Sequence, residues 1–159
     1  KDSFRADRTH CDADQIAETI ITSMLVTAVG SDICIIGPQP DGTPWSIGIT
    51  HPTEGNSAIA IIELSEGAVT TSGGYERYFD IDGLRYSHLI NPETGWPVEG
   101  LLSASVAAPT SIVAGSLTSI ALLKTPEDGL RFLEECATPY FAVDQQLGYH
   151  GSLGEIRYA

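Results

Sequence analysis

The sequence predicts an α+β fold in which an antiparallel sheet with hairpins packs against two or three helices. Short apolar runs separated by turn residues are typical of strands joined by hairpins. Three other segments repeat their apolar residues at helical spacing. Because the strands and helices are largely segregated along the chain, α+β is favoured over an alternating α/β arrangement.

The composition is that of one globular domain with a hydrophobic core. The chain has 159 residues, of which 42% are hydrophobic and 18% charged, and this balance separates it from disordered chains. Its formal net charge of −13 argues against binding to nucleic acid or to an anionic membrane, since both attract Lys and Arg. The apolar runs are too short to cross a bilayer, so we expect no membrane insertion by this segment.

The cysteines and the chain start carry little functional information. Cys11, Cys34 and Cys136 are widely spaced without a CxxC motif, which indicates neither a disulfide framework nor a zinc site. Cys34 lies in an apolar run, so we expect its thiol to be buried. The chain opens at Lys1 without a start methionine or signal peptide, so we expect an excised piece of unknown compartment.

Residues 1–30 are predicted to form a linker and one helix, and residues 31–159 a single domain. From Asp12 onward, apolar residues recur at helical spacing, namely Ala13, Ile16, Ala17, Ile20, Ile21, Met24 and Leu25. Asp12 or Asp14 is suited to cap this helix, because a carboxylate accepts hydrogen bonds from the first backbone N–H groups.

The domain is predicted to begin with four strands in two hairpins. The apolar segments 31–37 and 45–50 flank the turn sequence PQPDGTP and are predicted to pair with each other. Segments 57–64 and 67–71 are predicted to form the second pair.

A tighter hairpin follows over residues 76–88. Asp82-Gly83 supplies the positive φ angles that its turn needs. The alternating segment 101–108 is predicted as a further strand.

Two helices and one or two strands complete the domain. The spacing of Val113, Leu117 and Ile120/Ala121 predicts a helix over 110–123. A second helix is predicted from Thr125, its cap, to about Cys136, with Pro126 at its first position. Strands are predicted at 140–144 and, at the end of the chain, 155–159.

Candidate site residues concentrate in TSGGYERYFDIDGLRYSHLINPETGWPV, residues 71–98. Ser72-Gly73-Gly74 follows a strand, where glycines let the backbone approach a ligand and consecutive N–H groups can hold an anion. The same three residues also suit a tight turn, and on their own they favour the turn.

His88 is the most informative residue of this stretch. It stands at the end of a predicted strand beside the INPETG turn, where a histidine can reach a ligand and titrate near neutral pH. A structural histidine is the alternative. Four nearby hydroxyls favour a functional role, those of Ser72, Tyr75, Ser87 and Thr94. The other histidines, His10, His51 and His150, lack such a setting and are given no role.

One face of the helix over 110–123 is small and rich in hydroxyls. Ser116 and Ser119 share a face, with Ser111 and Gly115 along the same side. Such a face can lie against a ligand or a metal, or it can pack closely against another element. Spacing alone favours close packing.

The order of these motifs resembles the second half of the ApbE family, the FAD:protein FMN transferases. A family pattern of the form GGDI.a.G followed by DG.pW.vgI..P corresponds to 30–37 and DGTPWSIGITHP at 41–52. The block TSG.Y.R.F..dG.rY.HI..P.TG.P corresponds to residues 71–97 at nearly every marked position. The resemblance extends from about Ser31 to Val143.

The resemblance implies an activity and a set of site residues. Family enzymes bind FAD and a divalent metal, usually magnesium, cleave the pyrophosphate, and attach FMN through a phosphoester to Thr or Ser of a flavoprotein subunit. It implies a periplasmic or cell-envelope location, and it makes His88 the catalytic acid–base or phosphate contact. It also assigns FAD binding to a group of residues, Ser72, Gly73, Tyr75, His88, Thr94 and Gly95.

Two departures from the family pattern concern the metal. The family shows AD..aT where this chain has AGSLTS at 114–119, so Gly115 replaces the ligating Asp. Ser119 keeps a hydroxyl at the Thr position, and Ser116 offers a weaker substitute. Because Mg²⁺ prefers anionic oxygens, this loss predicts weak magnesium binding and impaired catalysis. The SGD of the family is SGG in this chain, which removes a second acid.

The third departure is length. The family's first half is expected to be absent, with much of the FAD pocket, and Lys1 and Asp7-Arg8 are expected to be remnants of the segment that joins the halves. FMN transfer from FAD to a protein Ser/Thr is the leading hypothesis. A non-catalytic flavin-binding or partner-binding module that has lost its metal is the alternative, and a structural domain comes third.

Overall fold

The computed structural model of the chain describes residues 23–28, 31–54, 57–75, 77–153 and 155–156. Within these ranges the fold is α+β, as the sequence predicts. A six-stranded sheet, a three-stranded sheet and a separate two-stranded hairpin accompany two helices. Neither described helix is long and apolar enough to span a membrane.

The strands come mostly before the two helices along the chain, and three short strands follow them. In chain order the elements are β1 (Met24–Ala28), β2 (Asp32–Ile36), β3 (Trp45–Thr50), β4 (Ala58–Leu64), β5 (Gly67–Gly73), β6 (Tyr78–Ile81), β7 (Leu84–Ser87), β8 (Ser103–Ala108), α1 (Ser111–Leu122), α2 (Pro126–Glu135), β9 (Tyr140–Val143), β10 (Tyr149–Gly151) and β11 (Glu155–Ile156).

The large sheet is antiparallel throughout and has the strand order β1-β2-β5-β8-β9-β10. One of its faces packs against the small sheet β11-β4-β3, where Val69 and Phe141 meet Ile47 and Ile62 in one core cluster. The other face packs against the helices. Since β8 lies between both cores, all six of its residues are buried, and its small side chains fit this double burial.

The helices bury a second cluster on the opposite face of β8. Ala104 and Val106 of β8 meet Ala114 and Leu122 of α1 and Leu133 of α2. Helix α2 begins as predicted, with Pro126 in its first turn and the Thr125 hydroxyl accepting a hydrogen bond from the Asp128 N–H.

Both predicted strand pairs among 31–71 are wrong, although all four strands exist. β2 pairs with β1 and β5, and β3 pairs with β4. The connections after β2 and after β4 each cross from one sheet to the other. Each strand turns apolar residues toward the core between the sheets, so alternation and turn residues do not reveal which sheet receives the strand.

The predicted helix near the start is wrong at its end, where Met24 and Leu25 lie in β1. They pair there with Ile36 and Ile35 of β2, and this pairing satisfies the backbone groups that a helix would have satisfied internally. The rest of the predicted helix lies outside the described residues.

The predictions for the later elements are mostly confirmed. Asp82 (φ 52°) and Gly83 (φ 79°) join β6 to β7, the two positive angles of a tight hairpin. Strand β10 lies outside the predicted elements, and only Glu155–Ile156 of the predicted final strand is described.

The buried face of α1 differs from the predicted one. Ala114 and Thr118 are both fully buried, whereas Val113 is 44% and Ile120 41% exposed. Ala114 and Thr118 allow close approach of the helix to the sheet, and Val113 and Ile120 lie outside, whereas Ala121 of the predicted face and Leu122 are fully buried.

Cys34 is exposed rather than buried. Side chains alternate across a strand, so when Ile35 enters the core between the sheets, Cys34 points to the other face. Its Sγ lies 2.8 Å from the Ser111 hydroxyl.

The turn between β9 and β10 is organised by Asp144. Its Oδ1 accepts hydrogen bonds from the Gln146 and Gly148 N–H groups, each 2.8 Å long. Its Oδ2 lies 2.7 Å from His150 Nε2. The hydrogen bond with His150 is the main cause that lowers the pKa of Asp144 below its ordinary value.

We predict that Asp144→Ala lowers the melting temperature at pH 7 by about 2–4 °C, the shift that about 1 kcal/mol produces in a domain of this size. The folded pKa is lowered, so the carboxylate stabilises the fold above its unfolded pKa of about 3.9 and this contribution is lost as the pH falls through the folded value. The difference from the wild type should therefore shrink in melts below about pH 4. A difference that is constant from pH 7 to pH 3 contradicts this role. Asp144→Asn, which retains an acceptor oxygen without charge, is the matched control.

Candidate active site

Two cavities open where β5 ends beside α1. One has a volume of about 750 Å³ and the other about 260 Å³. Both linings include Ser31, Ser72 and Ser119, so the cavities share a wall of hydroxyls. The large cavity adds the carboxylate of Asp32.

The end of β5 is joined to α1 by hydrogen-bonded hydroxyls. Ser72 Oγ lies 2.8 Å from Thr118 Oγ1, and Thr118 Oγ1 donates to the Gly115 carbonyl at 3.0 Å. Since Thr118 has a single hydroxyl hydrogen and gives it to Gly115, Ser72 must be the donor in the first bond. Ser72 therefore presents oxygen lone pairs, and not its hydrogen, to the cavities.

Different residues of α1 pack against the sheet and line the cavities. Ala114 and Thr118 are buried against the sheet. Ser116 and Ser119 are exposed along the cavities. The Ser116 hydroxyl donates back to the Ile112 carbonyl at 2.7 Å, whereas the Ser119 hydroxyl has no hydrogen-bond partner among the described residues.

His88 and Arg77 enter the smaller cavity together, because the hairpin sets them opposite each other. Tyr78 pairs with Ser87 in β6–β7, and the next residues outward are Arg77 and His88. The Arg77 carbonyl accepts a hydrogen bond from the His88 N–H at 3.1 Å and from His88 Nδ1 at 3.0 Å.

This contact decides which ring nitrogen of His88 carries hydrogen. A carbonyl oxygen only accepts, so Nδ1 must be the donor. In the neutral ring, Nε2 then holds a lone pair and can take a proton. The imidazole is exposed, so a substrate hydroxyl can reach it.

The predicted FAD residues divide into three places. Ser72, Gly73 and His88 line the smaller cavity with Ser119. Tyr75 lines a different cavity, of about 400 Å³. A Cβ on Gly73 would come within 2.5 Å of the Tyr75 ring, so a side chain there would require the ring to move.

Thr94 and Gly95 lie in an exposed turn and outside the linings of these three cavities. The Thr94 hydroxyl accepts from the Trp96 N–H at 3.2 Å, and Gly95 has a φ of 71°. In this structure the two residues shape the turn that follows His88.

Sequence reasoning assigned no role to Arg77 or Asp32, which line these cavities. Each occupies a marked position of a family motif, R in TSG.Y.R and D in GGDI, so the family resemblance could have indicated both residues as site candidates. Composition and residue spacing gave no indication of either residue.

The donor set at the cavities does not fit a magnesium ion held by the protein. Among the described residues, no group of three or more His, Cys, Asp or Glu is arranged to hold a metal. Asp32 is the single carboxylate of the large cavity, and Gly115 offers no side chain. Mg²⁺ needs near-octahedral oxygen ligands and favours carboxylates, so neutral hydroxyls make a weak substitute.

The fold is that of the flavin transferases. The crystal structure of the ApbE protein from Thermotoga maritima superposes with a TM-score of 0.75 at 34% identity, covering 87% of this chain and 46% of that one. The Pseudomonas stutzeri flavinyl transferase ApbE superposes with a TM-score of 0.69 at 32% identity, covering 88% and 44%.

The ApbE family model matches residues 6–142, and this chain belongs to the ApbE family. The FAD:protein FMN transferase of Escherichia coli (strain K12) is 35% identical over 107 residues, which are 66% of this chain and 30% of that protein. That of Vibrio cholerae is 33% identical over 133 residues, 82% and 40% of the two chains. The chain thus spans well under half the length of these curated relatives.

We predict that Gly115→Asp tightens Mg²⁺ binding by about tenfold, a change of about 1.4 kcal/mol, measured by calorimetry. The new carboxylate would join Asp32 and Ser119 at one cavity, because Gly115 and Ser119 share a helix face at i and i+4. An added Cβ would lie 3.6 Å from Thr70 Cγ2, an ordinary contact, and glycine is itself a poor helix former.

The controls separate charge from shape. Gly115→Asn adds the same bulk without charge and should leave the affinity near that of the wild type, and Ser119→Ala added to Gly115→Asp should reverse the gain. An unchanged affinity in Gly115→Asp would show that Gly115 does not stand at the metal position.

Proposed function

We propose that this chain takes part in the transfer of FMN from FAD to a hydroxyl of a Ser or Thr in a flavoprotein. The observation that carries the proposal is His88, whose Nδ1 is fixed on the Arg77 carbonyl at the edge of a hydroxyl-lined cavity. Family membership supports it, since relatives are named FAD:protein FMN transferase.

The proposed reaction is a phosphoryl transfer. The acceptor hydroxyl oxygen attacks the phosphorus of the FMN half, and a phosphoester bond forms. The P–O bond to the AMP half breaks, and AMP leaves with the bonding electrons. The hydroxyl proton passes to Nε2 of His88, which acts as general base.

The cavity residues supply binding and orientation in this scheme. Ser119 offers an unengaged hydroxyl hydrogen and Ser72 oxygen lone pairs, while Arg77 places positive charge next to His88. The magnesium implied by the family resemblance would supply charge stabilisation when bound. In this chain Ser119, Ser116 and Asp32 are the residues that could approach it, and they fall short of a complete ligand set.

One observation favours the alternative function, a non-catalytic flavin-binding or partner-binding module. Gly115 stands where the resemblance places a ligating Asp, and a chain without a metal ligand can keep binding while losing catalysis. FAD binding without any FMN transfer to an acceptor flavoprotein would support this alternative.

We predict that the protein quenches FAD fluorescence in a saturable titration. A flavin held beside Tyr75, His88 and the end of β5 would contact aromatic and polar side chains that lower its emission. FAD emission that stays unchanged at saturating protein would exclude both the transferase and the flavin-binding module.

We predict that His88→Ala lowers the rate of FMN transfer by about 10²–10⁴-fold, the usual contribution of a general acid–base group. Its melting temperature should remain near that of the wild type, because the side chain is exposed and makes one described hydrogen bond. The rate is measured as flavin incorporated into an acceptor flavoprotein. A loss below about threefold, or a variant that mainly unfolds, contradicts the catalytic role.

His51→Ala is the matched control. His51 Nδ1 accepts hydrogen bonds from the Thr53 and Glu54 N–H groups, so it organises a turn outside the linings of the two cavities at the end of β5. We expect this variant to lose stability while its folded molecules transfer FMN at the wild-type rate.

A further inference from the structure

Among the described residues, the cationic side chain of the smaller cavity is that of Arg77. No other Lys or Arg of the described part of the chain lines the two cavities at the end of β5. Arg77 belongs to a chain with a formal net charge of −13. An arginine guanidinium carries a positive charge and five N–H donors.

The ion pairs among the described residues do not include Arg77. Arg131, by contrast, pairs with Asp128 one turn earlier on α2. The guanidinium of Arg77 therefore keeps its donors available to a ligand, whereas that of Arg131 already has a partner.

The neighbouring hydroxyls are neutral and cannot replace the charge of Arg77. Ser72 gives its hydrogen to Thr118, and the Thr71 hydroxyl is bonded to Ser105 at 2.8 Å. Ser119 retains a free hydrogen, but it is neutral. An anion in this cavity would thus find its main countercharge on Arg77.

The absence of a ligating side chain at Gly115 makes the positive charge of Arg77 more important for binding an anion. A diphosphate needs positive charge near its oxygens, and the donor set at the cavities does not fit Mg²⁺ because Gly115 has no side chain and Asp32 is alone. Arginine presents a planar fork of N–H groups that binds phosphate oxygens in pairs. It can do so without a metal.

We propose that Arg77 binds the diphosphate of the flavin nucleotide directly and that this contact does not require Mg²⁺. The proposal rests on the function proposed above and adds to it a binding residue and a charge source. The backbone of Arg77 holds the imidazole of His88, so one residue would position both the base and the diphosphate.

The test is calorimetric titration of the protein with inorganic pyrophosphate in EDTA and, separately, in excess Mg²⁺. We expect the wild type to bind in EDTA and Arg77→Ala to bind about tenfold or more weakly, a change of at least about 1.4 kcal/mol. Arg77→Lys should fall between them, because it keeps the charge and loses the fork. Arg131→Ala, which removes an arginine far from the cavities along the chain, should bind as the wild type does.

Folding is controlled within the same series. Arg77→Ala retains the carbonyl that holds His88, so its melting temperature should match that of the wild type. If Arg77→Ala is destabilised, Arg77→Lys serves as the test variant, and an affinity equal to that of the wild type overturns the proposal.

Three other outcomes overturn the proposal. They are wild-type binding that appears only with Mg²⁺, equal affinity of wild type and Arg77→Ala, and no binding of pyrophosphate in either buffer. These results are distinguishable from failure of the proposed function. If the protein transfers FMN but binds pyrophosphate equally well with and without the Arg77 side chain, only the proposed Arg77 contact is overturned. If pyrophosphate binding depends on Arg77 but no FMN is transferred, the contact is supported and the proposed transfer reaction is overturned.

Discussion

The hydrogen bond from Ser72 to Thr118 joins the end of β5 to the middle of α1, and the candidate site depends on this junction. Thr118 is fully buried, so water cannot replace its partner, and loss of the bond would leave a buried hydroxyl with fewer partners. Beyond Ser72 the chain continues to the hairpin that carries Arg77 and His88. On the other side of the junction, α1 presents Ser119 to the same cavity.

The small residues of this region follow from the same constraint. Ala114 is fully buried and allows α1 to approach the sheet closely, whereas a Cβ at Gly115 would stand 3.6 Å from Thr70, an ordinary contact. Close approach brings hydroxyls of the helix and the strand around one cavity, where Asp32 is the one described carboxylate residue of the lining. The site is therefore suited to an anionic ligand held by Arg77 and hydroxyls more than to a tightly bound cation.

The sequence was most informative where structure is decided locally. Asp82-Gly83 predicted its hairpin turn, and Thr125 predicted the start of α2, because positive φ angles and capping depend on neighbouring residues. Strand pairing failed because β2 and β3 enter different sheets, a choice made by distant partners. The same limit explains Cys34, whose exposure depends on which face of β2 meets the small sheet. At the site, residue types and spacing singled out His88, Ser72 and Ser119 as candidates, and the family resemblance assigned them roles, but the contact of Arg77 with His88 required the hairpin geometry.

A double-mutant cycle on Ser72→Ala and Thr118→Val tests the junction most directly. Both substitutions keep the approximate shape of the buried side chains and remove one hydroxyl each. The free energy of unfolding is measured by urea denaturation for the wild type, the two single variants and the double variant. A coupling energy of about 1 kcal/mol, the usual net contribution of one such bond, is the result that this structure predicts. Effects that add within about 0.3 kcal/mol would contradict a junction held by Ser72 and Thr118.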